Sequence, residues 1–157
     1  IHQHLRAGLE SLAAPGGLLL DLYGGVGTFG LLNADLFGSV LTVECVPEAT
    51  ECAVKNIAAH GVTNVQATTL DARHLSTLDL PAELVVITDP PRAGMHPKAL
   101  KHLNGLSPAG FYYISCNPRQ LRTDLGFLPD WRPRAATMFD MFPQTDHCEV
   151  VLELERR

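Results

Sequence analysis

The sequence predicts an α/β fold built on a doubly wound, mostly parallel sheet, and three observations predict it. Short apolar runs that end in glycine, proline or acidic residues alternate with longer segments whose apolar positions recur at helical spacing. The run ELVVITDP (83–90) is apolar almost throughout, as a strand covered on both faces must be. Two β-like segments close the chain with no helix between them, which places an antiparallel pairing at the C-terminal edge of the sheet.

The elements follow in order. Ile1, Leu5, Leu9 and Leu12 keep helical spacing, and the chain opens without methionine, so it reads as a piece of a longer protein entered within or just before a helix. GLLLDLYG (17–24) is a buried strand ending in glycines, and residues 26–37 are expected to be a helix. VLTVECV (40–46) is the second strand. PEATECAVKNIAAH (47–60) is a helix with Pro47 in its first turn and Gly61 closing it. NVQATTLDA (64–72) is a third strand, 83–90 the fourth, 97–104 a helix and GFYYISC (110–116) the fifth strand. A helix runs from Pro118 to about Phe127, and 131–143 and 147–156 are the closing β segments. No repeat or linker divides the chain, so one domain spans 1–157, with strand order 3-2-1-4-5 around its switch point.

Composition narrows the function. The 157 residues are 46% hydrophobic, enough for a real core, and no apolar run reaches membrane-spanning length. No leader-like segment opens the chain. The four cysteines form no CxxC pair, and the seven histidines form no matched ligand set, so reduced thiols, a cytoplasmic setting and no metal are expected. A net charge of −5 argues against nucleic-acid capture by this domain alone.

Gly25-Val26-Gly27-Thr28-Phe29-Gly30 fits GxGxxG between a strand and a helix, where glycines allow a tight turn and close approach of backbone to a ligand. Glu44 ends the next strand, about 20 residues on, where a carboxylate holds ribose hydroxyls. A nucleoside cofactor follows, and both NAD and S-adenosylmethionine (SAM) satisfy the pattern. Asp21 ahead of the loop and Asp89 after the fourth strand favour SAM, because carboxylates suit an ammonium and a sulfonium and repel a pyrophosphate.

In TDPPRAGMHP (88–97) two consecutive prolines stiffen the segment that displays Asp89 and Arg92. Cys116 follows the fifth strand and precedes a helix start written as Asn117 (N-cap), Pro118 (N1) and Gln120 (N3). The partial positive charge of that helix end, with Arg119 beside it, favours a thiolate and marks Cys116 as a nucleophile. Cys45, Cys52 and Cys148 lack this setting and are assigned to packing.

Taken together, DLYGGVGTFGLL, VECVPEATECAVKNI, DPPRAGMHP, YISCNPRQLRTDL and MFPQTDHCEVVLEL resemble the signature blocks of the RNA uracil-C5 methyltransferases over nearly the whole chain. The resemblance implies a Rossmann-like class I SAM methyltransferase fold and formation of 5-methyluridine in tRNA or rRNA. It implies that Cys116 is the nucleophile and Glu149 the base, and that Tyr23, Gly25, Gly27, Thr28, Glu44, Asp71 and Asp89 bind SAM. Arg92, with Asp89, would lie beside the target base. Strand alternation alone reads Glu149 as a solvated carboxylate, and only the preceding FPQTDH context singles it out. Two departures stand out. Gly24 replaces a cysteine usual in the family, an exchange expected to leave the fold unharmed. An upstream glutamine motif and an OB-like RNA-binding domain are not in the chain, so RNA capture is expected to lie largely outside it. The readings that compete are a Rossmann dehydrogenase, an exocyclic-amine methyltransferase that would need no cysteine, and a SAM-binding module inactive without its upstream part.

Overall fold

The computed structural model describes residues 1–141, 143–145 and 147–157. Twelve regular elements follow one another: α1 (His2–Glu10), β1 (Ala14–Leu22), α2 (Thr28–Leu32), β2 (Phe37–Glu44), α3 (Pro47–His60), β3 (Val65–Thr69), β4 (Leu84–Thr88), α4 (Pro97–Gly105), β5 (Gly110–Ser115), α5 (Pro118–Leu125), β6 (Trp131–Phe139) and β7 (Glu149–Arg156). The strands form one seven-stranded sheet in the order β3-β2-β1-β4-β5-β7-β6. β1 to β5 pair parallel, with the strand order reversing between β1 and β4, while β7 enters antiparallel between β5 and the edge strand β6. The expected central order and the antiparallel C-terminal edge are both present.

Alternation along the strands builds the two layers of core. Leu20, Leu22, Val86, Phe111, Tyr113 and Leu152 point to the face covered by α4 and α5. Leu19, Val85, Ile87, Tyr112, Ile114 and Val151 point to the other, where Leu5 and Leu9 of α1 pack with no exposure. Truncating a fully buried leucine such as Leu20 to alanine costs about 2–5 kcal/mol at such sites. No described helix is long and apolar enough to cross a membrane.

Several boundaries differ from expectation for local reasons. The helix expected over 26–37 is shortened to α2 and a 3-10 turn, Ala34–Leu36. Gly25 and Gly27 hold left-handed backbone (φ +54° and +84°) at one end. At the other, buried Asn33 donates from Nδ2 to the Phe29 carbonyl at 2.8 Å. β3 stops at Thr69 because Asp71 caps a second 3-10 turn, Ala72–Thr77, by accepting from the Arg73 amide. β6 ends at Phe139 and β7 starts at Glu149, so both closing strands are shorter than expected, and residues 143–145 and 147–148 lie outside them. The FPQTDH stretch falls between the two. Its members Phe142 and Asp146 lie outside the described residues.

Candidate active site

The C-terminal ends of the parallel strands converge on one edge of the sheet, as ligand sites in such sheets require. Leu22 pairs with Val43 and with Thr88, and Glu44 with Thr69, so Tyr23, Glu44, Asp71 and Asp89 all emerge along that edge. Tyr23 leaves β1 at φ +57°, a conformation costly for a bulky residue. That turn lets its phenol reach across the edge, where its oxygen accepts from the His96 amide at 3.3 Å.

The glycine loop is bound from two sides. Beneath it, Asp21 is wholly buried and its Oδ2 accepts from the Gly30 amide at 3.0 Å and from Thr42 Oγ1 at 3.4 Å. Burial pushes Asp21 up to about 7, against those two bonds and with smaller contributions from Asp89 and Glu44. Beside the loop, Glu44 Oε2 accepts from the Gly25 amide at 3.1 Å, while its Oε1 accepts from the amides of Cys45 and Val46. A β-carbon built on Gly25 would meet nothing within 4 Å, so the loop shows bare backbone to the crevice.

A cleft of about 450 Å³ lies between this edge and the 89–97 loop, lined among others by Tyr23, Cys45, Asp71, Gly94 and His96. Its size is that of a nucleoside-binding pocket, and its walls pair apolar surface with a few polar groups. Asp71 faces it while bound to Arg73 Nη2 at 2.7 Å, which with the Arg73 amide holds its carboxyl below the usual range. Thr28 stands apart: it opens α2 and is grouped with Val26, Leu31, Asn56 and His60 in a separate surface depression.

On the other side of the 89–97 loop is a second cavity of about 620 Å³, lined by Arg92, Cys116, Asn117, Arg119, His147 and Cys148 with their neighbours. Half-buried Cys116 stands at the step from β5 into α5. The helix start predicted there is present, with Asn117 Oδ1 accepting from the Gln120 amide at 3.3 Å. Asn117 Nδ2 donates to the Arg92 carbonyl at 3.0 Å, which ties the start of α5 to the Asp-Pro-Pro-Arg loop. Arg92 Nη1 lies 3.4 Å from His147 Nδ1.

β7 supplies the group that pattern alone leaves in solvent. Ser115, the last residue of β5, pairs with Val150 in antiparallel register, so Cys116 and Glu149 each lie one residue beyond that pair. Desolvation raises the Glu149 carboxyl. Asp89, on the adjoining strand end, is pushed up to about 6, chiefly by desolvation against the crevice wall and further by the charge of Glu149.

The cysteine assignments need correction. Cys45 and Cys52 are exposed, not packed, and Cys148 lines the cavity beside Cys116. Cys45 lies beyond the last paired residue of β2, Cys52 on the outer face of α3, and Cys148 one residue ahead of β7, so none occupies an inward strand or helix position. Gly24 is closely accommodated: a β-carbon there would overlap Thr42 Cγ2, so a cysteine at this position would fit only if Thr42 yielded. Asp124, read only as part of a helix, proves to be buried at the join between the two cavities. Among the described residues no group of three or more histidine, cysteine or acidic side chains is gathered as a metal site would need.

A fold with this topology and a glycine loop under an acidic strand end is that of the class I SAM-dependent methyltransferases. TrmN from Thermus thermophilus superposes over 98% of the chain, and 48% of its own, with a TM-score of 0.75 at 23% identity. The match narrows with the Pyrococcus abyssi tRNA (uracil-54, C5)-methyltransferase, solved with S-adenosyl-L-homocysteine. It is 33% identical, with a TM-score of 0.81 over 98% of this chain and 38% of that one. A family model for tRNA (uracil-5-)-methyltransferase matches residues 2–81 and 77–157. The chain belongs to that family. Among its relatives, the 23S rRNA (uracil(747)-C(5))-methyltransferase RlmC of Shewanella halifaxensis is 39% identical over 140 residues, 87% of this chain and 36% of the relative. The RlmC of Escherichia coli is 34% identical over 137 residues, 87% of this chain and 36% of its own length. The chain thus spans little more than a third of the length of these relatives.

Proposed function

We propose that this chain is the catalytic domain of an RNA uracil-C5 methyltransferase, which moves a methyl group from SAM to C5 of a uridine in tRNA or rRNA through a cysteine adduct. The observation that carries the reading is the ladder register that leaves Cys116 and Glu149 each one residue beyond the Ser115–Val150 pair, near a nucleoside-sized cleft, in a member of this family.

The residues of the first cavity fit SAM. Asp71 and Tyr23 line the cleft, Glu44 is held at the neighbouring strand end for the ribose, and the bare backbone of Gly25 admits close approach, whereas a β-carbon on Gly27 would meet Ala53 of α3 at 3.4 Å. Thr28 is assigned to the cofactor only by the family's pattern. When bound, SAM supplies an electrophilic methyl on a sulfonium.

C5 of uracil is too electron-poor to take that methyl unaided. Cys116 sulfur adds to C6, and the electrons of the C5–C6 double bond move to O4 as an enolate, which makes C5 nucleophilic. Once C5 carries the methyl group, Glu149 takes the C5 proton. The electrons of that bond re-form the double bond and break the bond from sulfur to C6, returning Cys116 to its starting state. A carboxyl raised by desolvation suits the base. Arg92 and Asp89 border the base on the loop between the cavities. The target uridine reaches the cavity by leaving its stack. A net charge of −5 accords with RNA capture by parts of the relatives' length that this chain does not span. Four free thiols suit a cytoplasmic setting.

The test is a covalent trap with a uridine-rich hairpin RNA carrying 5-fluorouridine, SAM and the full-length polypeptide. Fluorine does not leave as the proton does, so the expected result is a band shifted on a denaturing gel and lost in Cys116→Ala. A full-length protein that binds SAM, methylates RNA and forms no adduct overturns the reading, and points to the exocyclic-amine alternative.

A further inference from the structure

We propose that Asp124 is a positioning residue whose carboxyl group clasps the 93–96 loop onto α5, setting the cofactor cleft and the Cys116 cavity at a fixed separation. The inference rests on the assignment of those two cavities to SAM and to uracil.

The 89–97 loop is the wall the two cavities share. Arg92 lines the Cys116 side, whereas Gly94 and His96 line the other. Such a wall needs an anchor in the core, because a loop held only at its ends would let the methyl donor and the acceptor carbon drift apart. Asp124 supplies it from the last turn of α5, with 1% of its surface exposed. Its Oδ2 accepts from the Met95 amide at 2.8 Å and from the Tyr113 hydroxyl at 2.5 Å, and its Oδ1 from Gln120 Nε2 at 2.8 Å. One carboxyl group therefore joins the loop, the strand that leads to Cys116 and the helix that follows it.

The backbone is shaped to admit this clasp. Gly94 sits at φ +79°, and a β-carbon there would stand 2.5 Å from Asp124 Oδ2 and 2.6 Å from Gln120 Cγ. Only glycine lets the loop settle onto the carboxyl. The chain continues the tie in both directions. The His96 amide donates to Tyr23 in the cofactor cleft, and Arg92 offers its carbonyl to Asn117, next to Cys116. Shifts at Asp124 thus reach both reacting partners, and a misplacement of about 1 Å is enough to cost roughly 100-fold in rate.

The experiment compares wild type with Asp124→Asn and Tyr113→Phe in the full-length polypeptide. It reads S-adenosylhomocysteine affinity by calorimetry, iodoacetamide labelling of Cys116 by peptide mass spectrometry, and kcat and KM for RNA. Val40→Ala, in the core on the opposite face of the sheet, serves as a variant that loses stability without touching the clasp. Asparagine keeps the bond from the Met95 amide but does not satisfy all three donors. Expected for Asp124→Asn are an affinity loss of about tenfold, an altered labelling rate, and kcat down roughly 10–100-fold with KM for RNA within about twofold. Tyr113→Phe shows the same pattern at smaller size, and decides the matter if Asp124→Asn does not fold. Affinity and labelling unchanged within about twofold, or the same losses in Val40→Ala, overturn the proposal. Because calorimetry and labelling need no methyl transfer, a wild-type protein without transferase activity refutes the proposed function while these two readouts still decide the clasp.

Discussion

The methyl group of Thr42 occupies the space that a side chain on Gly24 would need. A β-carbon on Gly24 would overlap Thr42 Cγ2 and stand 2.8 Å from Asp21 Oδ2. Gly24→Ala is therefore expected to cost about 1–3 kcal/mol through overpacking. Thr42→Ser removes the methyl and keeps the hydroxyl that donates to Asp21, so the double variant recovers much of that loss. A double-mutant cycle in urea checks the coupling, and strict additivity would refute it.

Asp21 gives the fold a pH dependence of unusual sign. Its carboxyl is pushed up to about 7 in the folded state, mainly by burial, and titrates at about 3.9 when unfolded. Between those values the folded chain holds the extra proton, so this contribution is fully present below about pH 4 and is lost as pH rises through about 7. The loss is on the order of 4 kcal/mol at most, for a group with no exposure. Asp21→Asn should flatten the decline between about pH 5 and 8 in urea midpoints, and an unchanged slope would remove Asp21 as its source.

Two thiols line one cavity, and the proposed mechanism uses only Cys116. Cys116→Ala should abolish methyl transfer and adduct formation, whereas Cys148→Ala should retain transfer within a few-fold. Glu149→Gln should still methylate C5 yet accumulate a covalent RNA adduct, visible on a denaturing gel. Rapid turnover by Glu149→Gln would assign the proton to another base.

Asn117 works in two directions at once. Asn117→Ala should cost about 1 kcal/mol of stability through the lost helix cap, read as a lower melting temperature, and should also lower kcat. Serine caps as well as asparagine but has no second donor for the Arg92 carbonyl. Asn117→Ser should restore most of the stability and little of the rate. Full recovery of both would limit Asn117 to capping.

The sheet is legible in the sequence because its signals are local and strong. Apolar runs such as LVVIT in β4 and FYYIS in β5 announce buried strands, and Pro47, Gly61, Asn117 and Pro118 announce helix ends. Where a side chain's partner is distant in sequence, reading fails. Asp124 accepts from the Met95 amide, 29 residues away, and nothing near it in the chain announces that. Glu149 is polar on a strand, and its place near the end of β5 depends on register between segments far apart in sequence. Cys148 reads as an inward strand residue only if the strand starts at 147, ahead of its true start at Glu149.

The insertion of β7 between β5 and β6 has a consequence for the order in which the molecule can be finished. β6 is made before β7 yet, among the described residues, pairs with the sheet only through it. During synthesis the first five strands can pair as they emerge, whereas β6 waits with its Ala135–Phe139 edge unpaired until its neighbour arrives. Under the proposed mechanism Cys116 is in place before its proton acceptor, which arrives with β7. Chains interrupted before residue 149 would hold Cys116 without the carboxylate to which the proposal assigns product release.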